Sequence, residues 1–212
     1  MHPFPPEPRA DPAVPGSPSP PAGTAPSAVP GLSIERAVLR ELLLPLKKPF
    51  RSPLIHLEER RVILVELHAG GHRGFGEAPV LPAPVYNEET PVTAWHVLAD
   101  FLLPLALSSP WPHPSALAAA LERFRGHPMA RAALETAAWD LYARRQGIPL
   151  ARLLGGSRAE VEVGATLGLA DDVEQLVRQA ASLREQGYRQ LKVKIRPGWD
   201  REPLRALRRA LG

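Results

Sequence analysis

A chain of 212 residues, 44% hydrophobic and 23% charged, has room for one large or two small packed domains. With no cysteine it forms no disulfide and no cysteine-ligated zinc site; no run reaches the roughly 18 apolar residues of a membrane span, and no secretory signal opens the chain, so the expected location is the cytoplasm. The net charge of +4 leaves no nucleic-acid footprint, because arginines alternate with acids in LERFRG and LVRQAASLREQG, and the one dense basic run, RALRRALG, is short.

Residues 1–31 hold eleven of the 26 prolines and no hydrophobic periodicity, which predicts a disordered, partly polyproline II tail. A solvated tail, or sequence upstream of the true start codon, is favoured over a ligand motif for a proline-reading domain. From Leu32 to Pro45 and again over Arg61–Ala69 the chain is rich in Val, Ile and Leu, and Gly70-Gly71 followed by RGFGEAPV completes the signal for a hairpin in a small antiparallel meander. The intervening KKPFRSPLIHLEER is polar and proline-punctuated, and reads as a long functional loop. The glycines of GGHRGFGE lack the strand-to-helix context of a phosphate loop and are assigned to the hairpin.

Helices come next. Thr90-Pro91 is a cap followed by proline at the first helical position, with Trp95, Leu98, Phe101 and Leu102 at helical spacing. A second helix is predicted from about Pro114 to Phe124. A third, PMARAALETAAWDLYARRQG, carries Met129, Ala133, Leu134, Ala137, Ala138 and Leu141 on one face, and so many alanines imply close packing against a neighbour. On that helix Glu135 and Asp140 suit structural polar contacts. Strands first and helices after describe an α+β domain.

Beyond Arg158 the grammar changes. VEVGATLGL (Val161–Leu169) reads as a strand, Asp171 with Glu174 as a capping box, and Val173 to Leu183 as a helix ending at Gly187. QLKVKI is the next strand, followed by a helix capped by Asp200 with Trp199 and Leu204 as a hydrophobic staple. This β-α-β-α order predicts parallel strands with helical crossovers.

On that second strand Leu191, Val193 and Ile195 face one way and Lys192 and Lys194 the other. At an edge such lysines serve solubility. If they are enclosed, two ammonium groups about 6.6 Å apart repel by roughly 2.5 kcal/mol at an effective dielectric near 20, which favours one neutral amine beside a fixed cation. Such a pair suits removal of a proton next to a carboxylate. The intermediate would be a dianion that calls for a divalent metal, yet the seven histidines form no compact ligand pattern and no nucleophilic serine motif is present.

Four stretches, PFRSP (Pro49–Pro53), GFGEAPVLPAPVYNEET (Gly74–Thr90), HPMARAALETAAWDL (His127–Leu141) and LKVKIRPGWD (Leu191–Asp200), give the chain its resemblance to the enolase superfamily. Within it, the branch of N-acylamino acid racemases and o-succinylbenzoate synthases is the most similar. Beyond the composition-predicted disordered tail of 1–31, the resemblance implies an α+β capping domain over 32–158, and from 159–212 the first two βα units of a (β/α)8 barrel that is incomplete in this chain. It further implies Lys194 as an acid/base catalyst and Lys192 as the contact to the substrate carboxylate. Thr166 would approach the same carboxylate, while Phe50, Leu81 and Tyr86 shape the acyl or succinyl pocket. The implied substrate is a small carboxylate, succinylcyclohexadiene carboxylate or an N-acylamino acid. The implied reaction is α-proton abstraction to a Mg2+-stabilised enediolate, then dehydration in menaquinone synthesis or racemisation; neither nucleic acid nor membrane is a partner, and the full-length protein would be a homo-oligomer. A barrel needs roughly 200 to 250 residues and only about 54 follow Arg158, so the family's metal-binding carboxylates and opposing lysine are expected to be absent from this chain. The alternative reading is a noncatalytic fragment or interaction module.

Overall fold

The computed structural model describes residues 31–52, 54–170 and 172–212. The predicted tail, apart from Gly31, therefore lies outside the described residues. At Gly31 the chain is tied down: its carbonyl accepts from the Arg145 guanidinium at 3.0 Å, and Leu32 exchanges two backbone hydrogen bonds with Trp111.

Three antiparallel strands, β1 (Arg36–Arg51), β2 (His56–Ala69) and β3 (His72–Ala78), form a sheet in the order β1-β2-β3. The predicted meander is present, but the long loop between its first two strands is not. β1 and β2 stay paired out to Phe50 opposite Leu57 and Arg51 opposite His56, with a register shift between Pro45 and Phe50. Pro49 reads as a loop residue because proline lacks a ladder donor; it falls at the register shift of β1, an edge strand, where that donor has no partner to lose.

On β2, Ile63, Val65, Leu67 and Ala69 alternate onto the helical side and are buried. Against them packs the helix series α1 (Pro91–Val97), a π turn (Leu98–Leu102) and α2 (Leu103–Leu107), together with α3 (Pro114–Leu121) and α4 (Pro128–Gln146). The Thr90 hydroxyl caps α1 with Pro91 at its first position, as the sequence predicts. The buried face of this series is Ala94, Leu98, Leu102 and Ala106, whereas Trp95 and Phe101 are exposed, contrary to the spacing argument. In the π turn the Leu103 N–H reaches Leu98 five residues back. It sits just ahead of Pro104, whose missing N–H and bulky ring disfavour a regular α turn. α3 ends at Leu121, three residues before the predicted Phe124.

α4 buries the expected Ala133, Leu134, Ala137, Ala138 and Leu141. Its alanines let it approach β3 so closely that only glycine fits opposite them. A Cβ on Gly76 would lie 2.8 Å from Ala137 N and closer still to the Ala133 carbonyl, and one on Gly74 would lie 2.5 Å from Leu141 Cβ. Of the glycines assigned to the hairpin, then, Gly70 (φ 56°) and Gly71 (φ 76°) make the turn, and Gly74 and Gly76 make the helix contact. Asp140 accepts from the Phe75 N–H at 2.9 Å on the free edge of β3 and from Arg144 Nε at 2.9 Å, the structural role expected of it.

The opposite face of the sheet carries one buried acid. Glu66, 3% exposed, is paired with Arg40, lies 3.0 Å from His68 Nε2 and 3.5 Å from the Arg73 guanidinium. The Arg40 hydrogen bond and the surrounding positive charges hold its carboxyl below the usual glutamate range, against the upward push of burial.

After the short helix α5 (Leu150–Leu153), strand β4 (Gly164–Leu167), helix α6 (Val173–Glu185), strand β5 (Gln190–Val193) and helix α7 (Arg201–Leu211) give the predicted β-α-β-α, with β4 and β5 parallel. A second core of Leu167, Ala170, Leu176, Ala180 and Leu207 takes in Leu191, Val193 and Trp199. Strand β4 is shorter than Val161–Leu169, and Val161 and Val163 are exposed. Asp171 lies outside the described residues; the cap of α6 is Asp172, whose carboxylate accepts from Gln175 N at 2.6 Å. Ile195, 47% exposed, does not join Leu191 and Val193 under the helices, because the strand ends at Val193. α7 is capped by Asp200 but buries Pro203 and Leu207 in place of Leu204. No helix among the described residues is long and apolar enough to cross a membrane.

Candidate active site

A cavity of about 550 Å3 opens where the far end of the β1–β2 hairpin, the segment after β3, the start of α4 and the end of β5 meet. Its size is that of a small-molecule site. Phe50, Leu54 and Ile55 come from the hairpin, Pro79, Leu81 and Tyr86 from the segment after β3, Met129 from α4, and Lys194 from the residue following β5.

Each of these segments is held by identifiable bonds. At the hairpin tip the Ser52 hydroxyl accepts from Leu54 N at 3.3 Å and Ile55 N at 3.2 Å, closing a tight turn that presents Leu54 and Ile55 to the cavity. The segment carrying Leu81 and Tyr86 ends in Glu88-Glu89-Thr90, and all three bind helix starts. Glu88 accepts from His127 N at 3.2 Å; the fully buried Glu89 carboxylate accepts from Met129 N at 2.6 Å and Ala130 N at 2.9 Å; and Thr90 caps α1. His127, at φ 51°, has no side-chain cap to offer α4, so the anion at the start of this helix comes from Glu89, 40 positions upstream.

Lys194 extends the β4–β5 ladder by donating its N–H to the Leu167 carbonyl at 3.1 Å. Its ammonium lies 4.0 Å from the centre of the Phe50 ring and 3.4 Å from the Arg51 carbonyl, which draws it half-buried beneath the hairpin. Of the sequence-predicted site residues, Phe50, Leu81, Tyr86 and Lys194 therefore meet in one place. Lys192 and Thr166 do not line this cavity. They are register partners on β5 and β4, exposed on the sheet face opposite the second core, and Thr166 borders a separate groove with Lys48 and α6.

Arg60, Met129 and Ser52 are cavity residues that the sequence reading passed over. Arg60 had a legible signal. It adjoins Arg61 on a strand, so the two must point to opposite sides: Arg61 pairs with Glu41 at 3.1 Å beside α1, and Arg60 turns to the cavity, donating to the Pro79 carbonyl at 2.8 Å. No group of three His, Asp or Glu side chains among the described residues is placed to hold a metal ion.

An antiparallel sheet backed by helices is the architecture of an enolase-type capping domain, here followed by a short parallel strand pair. The mandelate racemase / muconate lactonizing enzyme N-terminal domain family matches residues 34–155, and the chain belongs to it, within the enolase superfamily. It is 44% identical over 179 residues to an o-succinylbenzoate synthase of Geobacillus stearothermophilus, covering 84% of this chain and 48% of that protein. With an N-succinylamino acid racemase of Thermus thermophilus it is 44% identical over the same length, again covering 84% and 48%. The solved structure of an enolase superfamily member from Listeria innocua superposes with a TM-score of 0.81 at 31% identity, covering 84% of this chain and 48% of that one. The chain thus spans about half the length of the curated relatives it matches.

Proposed function

We propose that the chain supplies the capping domain and first barrel strands of an enzyme of the o-succinylbenzoate synthase and N-acylamino acid racemase kind. Such an enzyme removes the proton α to a carboxylate, leading either to dehydration in menaquinone synthesis or to racemisation. The observation that supports this is the convergence of Phe50, Leu81, Tyr86 and Lys194 on one apolar cavity. In this reading the capping domain runs over 32–158, and β4 and β5 begin a (β/α)8 barrel from residue 159.

The chemistry assigned to this chain is local. The apolar walls take up the acyl or succinyl group and exclude water from it. Lys194 is the group that moves the α-proton, held in place by the Phe50 ring and the Arg51 carbonyl. Lys192 and Thr166, side by side on the open strand face, receive the substrate carboxylate. Mg2+, which the resemblance implies, would stabilise the enediolate; the described residues offer no ligand set for it.

The test is a chimera in which this chain replaces the matching part of the Geobacillus stearothermophilus enzyme. Solvent-deuterium exchange at the α carbon of an N-succinylamino acid, followed by NMR, should be retained, and the substituted cyclohexadiene should be dehydrated or left intact according to branch. A soluble, folded chimera that exchanges no α-proton while the parent enzyme does would overturn the proposal.

A further inference from the structure

We infer that the groove between α1 and the β1–β2 pair is a docking site for the chain's own proline-rich N-terminal segment, with Pro5-Pro6-Glu7-Pro8-Arg9 as the motif it holds. The inference is independent of the reading of the cavity beneath the hairpin.

The groove has a volume of about 480 Å3, and its lining includes Glu41 from β1, Arg61 from β2, and Val92, Trp95, His96 and Asp100 from α1 and the π turn. Val92 is 76% exposed and Trp95 39%. Neither belongs to the hydrophobic core that takes in Ala94 and Leu98, so the indole stands at the surface without a packing role in the interior. Two acids flank it: Glu41 pairs with Arg61 at 3.1 Å, and Asp100 with His96 at 2.7 Å. With His96 neutral, the carboxylates outnumber the single guanidinium and the rim is net negative.

Composition alone leaves residues 1–30 as a solvated tail; the groove supplies what composition does not show. A polyproline II segment is already extended and presents the prolines of a P-x-x-P spacing to an aromatic-lined groove at little cost in entropy. Several such spacings occur in residues 1–30, but only Pro5-x-x-Pro8 adjoins an arginine, and Arg9 is the one lysine or arginine of that segment. Its guanidinium complements the acid-rich rim and stacks on an indole face.

The segment is long enough. Gly31 is held by Arg145 and Leu32 by Trp111, and the ten residues from Gly31 to Glu41 span at most about 36 Å. The 22 positions from Arg9 to Gly31 span about 68 Å as polyproline II. Tethering sets an effective concentration of order millimolar, so a site with a Kd of about 0.1 mM is filled roughly ten times as often as it is empty.

Because the chain has no cysteine, Ala10→Cys gives a single attachment point for a nitroxide in the full 212-residue chain. The amide NMR signals of Val92, Trp95 and Ala99 should broaden while those of α6 and α7 stay sharp. Arg9→Glu, which lies outside the fold, should cut that broadening about fivefold, the order of one exposed charge pair. Trp95→Ala, at a surface position, should cut it further. Broadening spread evenly over the domain, none at α1, or broadening untouched by both substitutions would overturn docking in this groove. Mixing spin-labelled chain with isotope-labelled chain that carries no nitroxide should leave the α1 signals sharp. Broadening in that mixture equal to that of the labelled chain itself would assign the groove to a second copy's segment and overturn docking within one chain.

Discussion

The buried carboxylate of Glu89 accepts a hydrogen bond from the backbone N–H of Ala130 at 2.9 Å, joining the segment that carries Leu81 and Tyr86 to the first turn of α4. A second bond, from Met129 N at 2.6 Å, involves a residue that itself lines the cavity. One side chain thus completes a helix start and sets one wall of the site. Glu89→Ala leaves two N–H groups without acceptors in the interior, at a cost of about 2 to 4 kcal/mol. Urea denaturation should show that loss. Glu89→Gln, which keeps one acceptor oxygen, should lose about half as much.

Gly76 faces Ala133 and Ala137 with no room for a methyl group. Gly76→Ala must push β3 and α4 apart and should destabilise the chain by about 2 kcal/mol or more. Gly71→Ala, at φ 76° with nothing within 4 Å of the added carbon, should cost only the left-handed backbone penalty of about 1 to 2 kcal/mol. A Gly76 variant melting no lower than the Gly71 variant would contradict the close approach.

Glu66 links stability to pH on the acid side. Its carboxyl is held low in the folded state, chiefly by Arg40 with His68 and Arg73 assisting, while in the unfolded chain it titrates near the ordinary value of about 4.3. Its contribution is therefore complete above that pH and is lost as the pH falls through the lower folded value. The stability difference between the parent chain and Glu66→Gln should be flat from about pH 6 to pH 5 and shrink steadily from about pH 4 to pH 3. A difference that grows on acidification would show the opposite linkage.

Lys194 and Lys192 should separate kinetically in the chimera. Lys194→Ala removes the proposed proton-transfer group and should lower α-proton exchange by roughly 10^2-fold or more with little change in KM. Lys192→Ala should act mainly on KM, through the carboxylate contact. Equal losses in kcat for both would assign the two amines to a single function.

Much of this fold was legible because its signals are local. Thr90-Pro91 announces a cap, Ala133 to Leu141 fall on one face of a 3.6-residue period, Gly70-Gly71 supplies a left-handed turn, and the β-α-β-α order after Arg158 requires a parallel pair. Trp95 and Phe101 misled because a period reports which residues share a face, and the small Ala94 and Ala106 were overlooked on the face that is buried. The likeness of four short stretches to a family carried Phe50, Leu81, Tyr86 and Lys194 to the cavity they share, although no composition or spacing argument joins them.

By itself, then, the chain order determined the order of strands and helices, the caps of α1 and α7 and the direction of the strands, since each depends on neighbours within a few positions. Tertiary structure alone decided that Pro49 lies in an edge strand, that Gly74 and Gly76 make way for α4, that Glu89 serves a helix 40 positions away, and that Arg60 faces the cavity. The physical reason is one of distance along the chain. Lys194 meets the Arg51 carbonyl across 143 positions, and whether such groups come together is settled by the packing of whole elements, which no local period encodes.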